Sequence, residues 1–182
     1  MNLKPLDLEN APESAKPGLE AVKKKFGMIP NLMGMFANYP MALNSYLSIS
    51  NNFENSDFSP VEQQIIQITV SRENDCSYCV AAHSVISSMS KIDEKVISQL
   101  RKGETLNDKK LEALRTFTKR VVSSNGFVDT SDVENFVVAG YTQEQILGVV
   151  LGVGIKTISN YMNHIASTPL DTAFSSAKWS KQ

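Results

Sequence analysis

Both cysteines of the chain and one of its two histidines fall within one short stretch, Cys76-Ser77-Tyr78-Cys79-Val80-Ala81-Ala82-His83. On a helix, Cys76, Cys79 and His83 are spaced i, i+3, i+7 and share one face. Two thiols beside an imidazole point to thiol redox chemistry. Residues three apart on a helix have Cα atoms within the roughly 4.4–6.8 Å that a disulfide spans, so the pair can oxidise and reduce without rearranging the fold. A free thiol of pKa ≈ 8.5 is only about 3% thiolate at pH 7. A helix N-terminus and a nearby imidazolium would lower that pKa by roughly 2, making thiolate the majority form. A lower pKa also weakens the nucleophile, which offsets part of the gain.

The two sulfurs are not equivalent. His83 follows Cys79 by one helical turn and can reach its sulfur or a peroxide bound there, which favours Cys79 as the attacking thiolate. The helix dipole argues for Cys76, which is nearer the N-terminus. With Cys79 attacking, a peroxide O–O bond is cleaved and a sulfenic acid forms, which Cys76 condenses into a disulfide. His83 would then serve as base toward the thiol or peroxide and as acid toward the leaving oxygen.

Zinc is the main rival, with both thiolates and His83 as ligands and His164 or Glu73 as the fourth. A structural zinc site usually takes four ligands from loops or knuckles, and here only two are cysteines. An inert buried cysteine pair is the other alternative. Covalent haem attachment is excluded, because it needs a histidine directly after the second cysteine.

The elements that must hold these side chains are helical. Pro17 suits the first turn of a helix through Leu19, Val22 and Phe26, ended by Gly27. Leu32, Met33, Met35 and Phe36 form an apolar stripe, and Pro40 opens a further helix through Tyr46 and Phe53. Met28, Met33, Met35 and Met41 read as adaptable filler of a core or subunit interface. Ser59-Pro60-Val61-Glu62 is a capping box at the start of a helix through Ile65, Ile66, Ile68 and Val70. Asn74-Asp75 offers a break and a new cap, so the next helix carries Cys76 to Met89. Shorter helices follow from Asp93, from Asn107 or Asp108, and from Thr130. Thr142 and Gln145 form a second capping box and open the longest helix, to about Ala166. No alternating strand pattern occurs, so the fold class is all-α. Gly148, Gly152 and Gly154 inside the last helix are expected to admit a close neighbour, since each costs about 1 kcal/mol against alanine. They follow no strand and make no nucleotide-binding loop.

The chain of 182 residues suits one domain, with residues 1–16 as an N-terminal arm and 169–182 as a tail whose Phe174 and Trp179 are docking points. A hydrophobic share of 42% and a charged share of 20% are those of a soluble globular protein. A formal net charge of -1 makes nucleic acid or an anionic membrane a poor partner. The first residues lack the apolar run of a signal peptide, and the longest apolar stretch, 146–155, is too short to span a bilayer. A cytoplasmic protein is expected, where close cysteines are more often catalytic or metal-binding than structural.

Cys76-Ser-Tyr-Cys79-Val-Ala-Ala-His83 resembles the Cys-x-x-Cys-x-x-x-His motif of the carboxymuconolactone decarboxylase superfamily, on its alkylhydroperoxidase D (AhpD)-like branch. The flanking Val70-Ser71-Arg72-Glu73-Asn74, and Asn160-Tyr161-Met162-Asn163-His164, are similar to its peroxidase-related subgroup. The resemblance covers roughly residues 27–170. It implies an AhpD-like multi-helix bundle, a homotrimer or hexamer, and thiol-dependent reduction of hydroperoxides in antioxidant defence. It assigns Cys79 as peroxidatic and Cys76 as resolving, with no cofactor beyond the pair and an external dithiol or lipoyl-type electron donor. Lactone decarboxylases of the superfamily lack the cysteine pair, which argues against that activity.

Two positions depart from the family pattern. The relay glutamate expected twelve residues before the first cysteine is Gln64, and Tyr78 stands where AhpD has a histidine. Glu73 is the nearest substitute acid. His164 and Asn160 on the last helix are candidates for the relay or pocket, beside Gln64 and Tyr78. The alternatives are a thiol–disulfide oxidoreductase without peroxidase activity, and a zinc-binding or structural oligomer.

Overall fold

The computed structural model describes residues 3–181, and no strand occurs among them. The helices are α1 (Lys16–Phe26), α2 (Asn31–Phe36), α3 (Pro40–Glu54), α4 (Pro60–Glu73), α5 (Ser77–Met89), α6 (Glu94–Lys102), α7 (Lys109–Ser123), α8 (Thr130–Val138) and α9 (Gln143–Ala166). Two 3-10 turns, Glu13–Ala15 and Thr172–Ala177, lie in the arm and the tail. Met1, Asn2 and Gln182, the outermost residues of the expected arm and tail, lie outside the described residues. No single helix among the described residues is long and apolar enough to cross a membrane.

Helix α4 is the axis of the bundle, packed by α5, α7 and α9. Its capping box forms as expected: Ser59 N–H and Oγ both donate to Glu62 Oε2, at 2.9 and 2.7 Å. Ile65, Ile66, Ile68 and Val70 are fully buried, because four apolar residues within six positions cover most of the helix circumference. Glycines in α9 allow the close packing on this axis. A Cβ at Gly152 would stand 2.6 Å from Ile66 Cγ2, and one at Gly148 would stand 2.7 Å from Phe58 Cε2.

Gly154 departs from the expectation, since nothing lies within 4 Å of a Cβ built there. It sits on the outward face of α9, where Leu147, Val150, Ile158, Tyr161 and Ile165 are all exposed. Met35 is buried in the core, whereas Met41 is 65% exposed.

The tail is a structural part of the bundle. Asp171 accepts hydrogen bonds from the Asn31 backbone N–H (3.0 Å) and the Tyr78 hydroxyl (2.5 Å). Phe174 meets Tyr78 edge-on, with centroids 6.0 Å apart. Trp179 Nε1 donates to the Arg101 carbonyl at 2.9 Å, covering the open C-terminal end of α6. The arm docks through the Leu6 N–H on the Gly34 carbonyl, 3.0 Å away. A side chain at Gly34 would strike that arm, with its Cβ 2.6 Å from Leu6 O.

Candidate active site

The turn between α4 and α5 places the sulfurs. Asp75 adopts a left-handed φ of 57°, which ends α4 and turns the chain. The Cys76 N–H then reaches back to the Ser71 carbonyl at 2.8 Å. The expected cap at Asn74 or Asp75 is therefore displaced: Cys76 itself is the residue preceding the first helical position. Cys79 lies inside the first turn of α5. Both thiols are free and buried.

Helix α9 supplies the other wall, through four buried polar residues: Lys156, Ser159, Asn160 and Asn163. They fall at i, i+3, i+4 and i+7, one face of the helix. Asn163 Nδ2 donates to Cys79 Sγ at 3.2 Å and lies 3.7 Å from Cys76 Sγ. Ser159 Oγ is 3.9 Å from Cys79 Sγ. Asn160 accepts from Asn74 Nδ2 (3.0 Å) and approaches Ser71 Oγ (3.4 Å), tying α9 to the α4–α5 turn.

Lys156 is the group that no motif announced. It is 1% exposed, and its Nζ lies 2.8 Å from His83 Nε2. An ammonium has only donors, so Nε2 of His83 must accept. The proton of the neutral imidazole then sits on Nδ1, which donates to Gln64 Oε1 at 2.9 Å. Both nitrogens of His83 are thus engaged, neither with sulfur. Gln64 fixes the tautomer and cannot itself pass a proton on.

The charges follow from this packing. Burial opposes ionisation of Cys79, but the Cys76 thiol, the Lys156 ammonium, and the Asn160 and Ser159 side chains outweigh it, bringing its pKa down to about 5. Cys76 moves the opposite way, because its proton is shared with Cys79 and because it is buried. Burial opposes charge on Lys156 too, yet the Cys79 thiolate beside it holds it protonated. His83 is kept neutral, by burial first and the Lys156 charge second. The cation beside the thiolate is therefore a lysine, where an imidazolium was expected.

A cavity of about 570 Å³ opens onto this cluster. Cys79, His83, Gln64, Lys156, Tyr46 and Tyr78 line it together with apolar side chains of α1, α2 and α3; Cys76 does not. Tyr78 is a strut rather than a titrating group: burial and its hydrogen bond to Asp171 push its pKa up.

Two expected candidates are elsewhere. Glu73 pairs with Arg72 at 3.4 Å and does not line the cavity. The cause is local: at the last turn of α4 it diverges from the sulfurs, which the Asp75 turn swings onto α5. His164 is exposed, because it follows Asn163 by one position and so faces away from the buried stripe. The zinc arrangement fails on the donor set. No three His, Cys, Asp or Glu side chains cluster among the described residues, and a cation, Lys156, already occupies the space beside Cys79 and His83.

Lys156 has a legible signal in the sequence outside the Cys-x-x-Cys-x-x-x-His stretch. Four polar residues at i, i+3, i+4 and i+7 form one stripe along α9, and such a stripe is expensive to bury unless it has partners.

Neither a family model nor a curated relative matches the chain. Solved structures do. A peroxidase-related protein from Silicibacter sp. TM1040 superposes with a TM-score of 0.81 at 20% identity, over 96% of this chain and 95% of that one. An AhpD-core peroxidase-related protein from Ralstonia eutropha JMP134 gives 0.81 at 19% identity, with the same coverage of 96% and 95%. The debrominase Bmp8, in complex with 2,3,4-tribromopyrrole, gives 0.83 at 15% identity over 97% and 95%. At these identities the likeness is one of architecture: the chain has the all-α AhpD-like fold, with its Cys-x-x-Cys pair at the start of α5.

Proposed function

We propose that the protein is a thiol-dependent hydroperoxide reductase, with Cys79 as the attacking thiolate and Cys76 as the resolving thiol. One observation carries this: Cys79 is the sulfur that lines the cavity, and it is the one held as thiolate against Lys156. The thiolate attacks the terminal oxygen of ROOH, the O–O bond breaks, and Cys79 becomes a sulfenic acid. The leaving alkoxide takes a proton from the Lys156 ammonium and departs as ROH. Cys76 S–H condenses with the sulfenic acid, giving the disulfide and water. A dithiol donor then reduces the disulfide, and the Cys79 proton it delivers returns to Lys156.

This cycle closes without a carboxylate relay. Lys156 stores the proton that the alkoxide needs, and the reductant replaces it. A glutamine at position 64 is compatible with that, since its work is to orient His83 rather than to carry a proton. The donor is of dithiol or lipoyl type. The exposed apolar stripe of α9 supports assembly with further copies, as a trimer or hexamer.

The test is peroxide consumption by the reduced protein with a dithiol such as dithiothreitol, together with intact mass under non-reducing conditions. Turnover with loss of two hydrogens per oxidised chain is expected. A protein that forms the disulfide and exchanges it with dithiols, yet consumes no peroxide, is instead a thiol–disulfide oxidoreductase.

The Bmp8 likeness favours one second reading, reductive dehalogenation. The thiolate would take the bromine of an aryl bromide while a proton goes to carbon, and Cys76 would displace bromide to give the same disulfide. The largely apolar cavity has room for such a ring. Bromide release from a bromopyrrole in the presence of dithiol, without peroxide turnover, would select it.

A further inference from the structure

Tyr46 is a polar group of the cavity that the cycle above leaves unused. It lies on α3, and only 6% of it is exposed. Its ring stacks on Phe36, with centroids 4.7 Å apart and planes inclined by 22°, so its position is set by the core. It lines the same cavity as Cys79, His83 and Lys156. Among the described residues, nothing hydrogen-bonds its hydroxyl, and that oxygen is not sealed inside the core. A buried tyrosine usually spends its hydroxyl on a partner. Tyr78 and Tyr141 both do so here, on Asp171 and Glu62.

We infer that Tyr46 is the hydrogen-bond donor to the leaving oxygen of the bound hydroperoxide. The inference rests on the peroxide-reducing function proposed above. As the Cys79 thiolate takes the terminal oxygen, two electrons pass from sulfur into the O–O bond, and negative charge collects on the oxygen still bonded to R. Tyr46 and Lys156 both line that space. Lys156 gives up its proton to the alkoxide; Tyr46 keeps its own and stabilises the developing charge as a fixed dipole. Stacking on Phe36 means that little reorganisation is needed at that moment.

The stabilisation must scale with the basicity of the leaving oxygen, and this separates a catalytic hydroxyl from a structural one. The experiment compares wild type and Tyr46→Phe in single turnovers of pre-reduced protein, with tert-butyl hydroperoxide and with peracetic acid. An alkoxide leaves from the first and a resonance-stabilised carboxylate from the second. We expect the variant to lose roughly 100-fold with tert-butyl hydroperoxide and less than about 3-fold with peracetic acid. The iodoacetamide alkylation rate of Cys79 should stay within about 2-fold, because the Lys156–Cys79 pair is untouched. Equal losses with the two oxidants, no loss with either, or a parallel fall in alkylation would overturn the inference. If wild type consumes neither oxidant, the peroxidase function itself fails and the role of Tyr46 falls with it. If wild type is active and Tyr46→Phe matches it, the Tyr46 role alone is lost.

Discussion

Two polar faces meet at Cys79, and they are built by opposite rules. The α5 face is compact in sequence: Cys76, Cys79 and His83 lie within two helical turns, and their types announce sulfur chemistry. The α9 face carries Lys156, Ser159, Asn160 and Asn163, none of which suggests a reaction by type. Yet α9 supplies the charge and most of the hydrogen bonds that make Cys79 reactive, while His83 on α5 is bound at both nitrogens and remains neutral. A recognisable motif names the nucleophile; the environment that activates it comes from a helix some 80 residues further along the chain.

The comparison can be broken most forcefully at the sulfur itself. Cys79→Ser should lower peroxide turnover by at least about 1,000-fold, since the remaining thiol, Cys76, is held protonated and does not line the cavity. Cys76→Ser should still consume one equivalent and stop at a sulfenic acid, which dimedone trapping with mass spectrometry reads directly. If the two variants exchange these behaviours, the roles of the sulfurs are reversed.

Removing the α9 charge is the next largest effect. Lys156→Met leaves the buried Cys79 without its cation. Its pKa should rise from about 5, because burial is then opposed only by the Cys76 thiol and the Asn160 and Ser159 side chains. The wild-type alkylation rate should therefore be flat from pH 6 to 8, whereas the variant's should still be climbing through pH 8. Turnover near pH 7 should drop by roughly 100-fold or more. A variant with an unchanged alkylation profile would return the activating role to α5.

Gln64→Glu sharpens the question of the proton. A carboxylate on His83 Nδ1 would raise the basicity of the imidazole and offer an exit for its proton. If Lys156 carries the proton through the whole cycle, turnover should change by less than about 3-fold, and steady-state rates across pH 5–9 will show it. An increase above about 10-fold would mean that a relay is missing from the native protein.

The smallest effects are expected at two residues that sequence alone nominated. His164→Ala and Glu73→Gln should each keep turnover within about 2-fold, as neither side chain reaches the cavity. A large loss in His164→Ala that appears only in the assembled protein would place this exposed histidine at a subunit boundary.

Much of the bundle was legible because its signals are local. Ser59 with Glu62 and Thr142 with Gln145 form the boxes that open α4 and α9, and Gly27 and Gly103 end α1 and α6 in left-handed geometry. The start of α5 was less so, because Asp75 spends its conformational freedom on the turn and leaves Cys76 to precede the helix. Glycines were legible only in part: Gly148 and Gly152 face neighbours, while Gly154 points outward, a distinction of rotation about α9 that composition does not carry.

From the sequence alone came the helices, the shared face of Cys76, Cys79 and His83, and hence the capacity for disulfide chemistry, since these depend on helical periodicity within a few turns. Tertiary structure decided which cation sits at Cys79, which sulfur faces the cavity, and what Gln64 does. Each of those depends on α4, α5 and α9 crossing at one depth and rotation, and a shift of a single residue along α9 would exchange buried Asn163 for exposed His164. Charge stabilisation falls off steeply with distance and is strong only where water is excluded, so the electrostatics of this site exist only after the helices have packed.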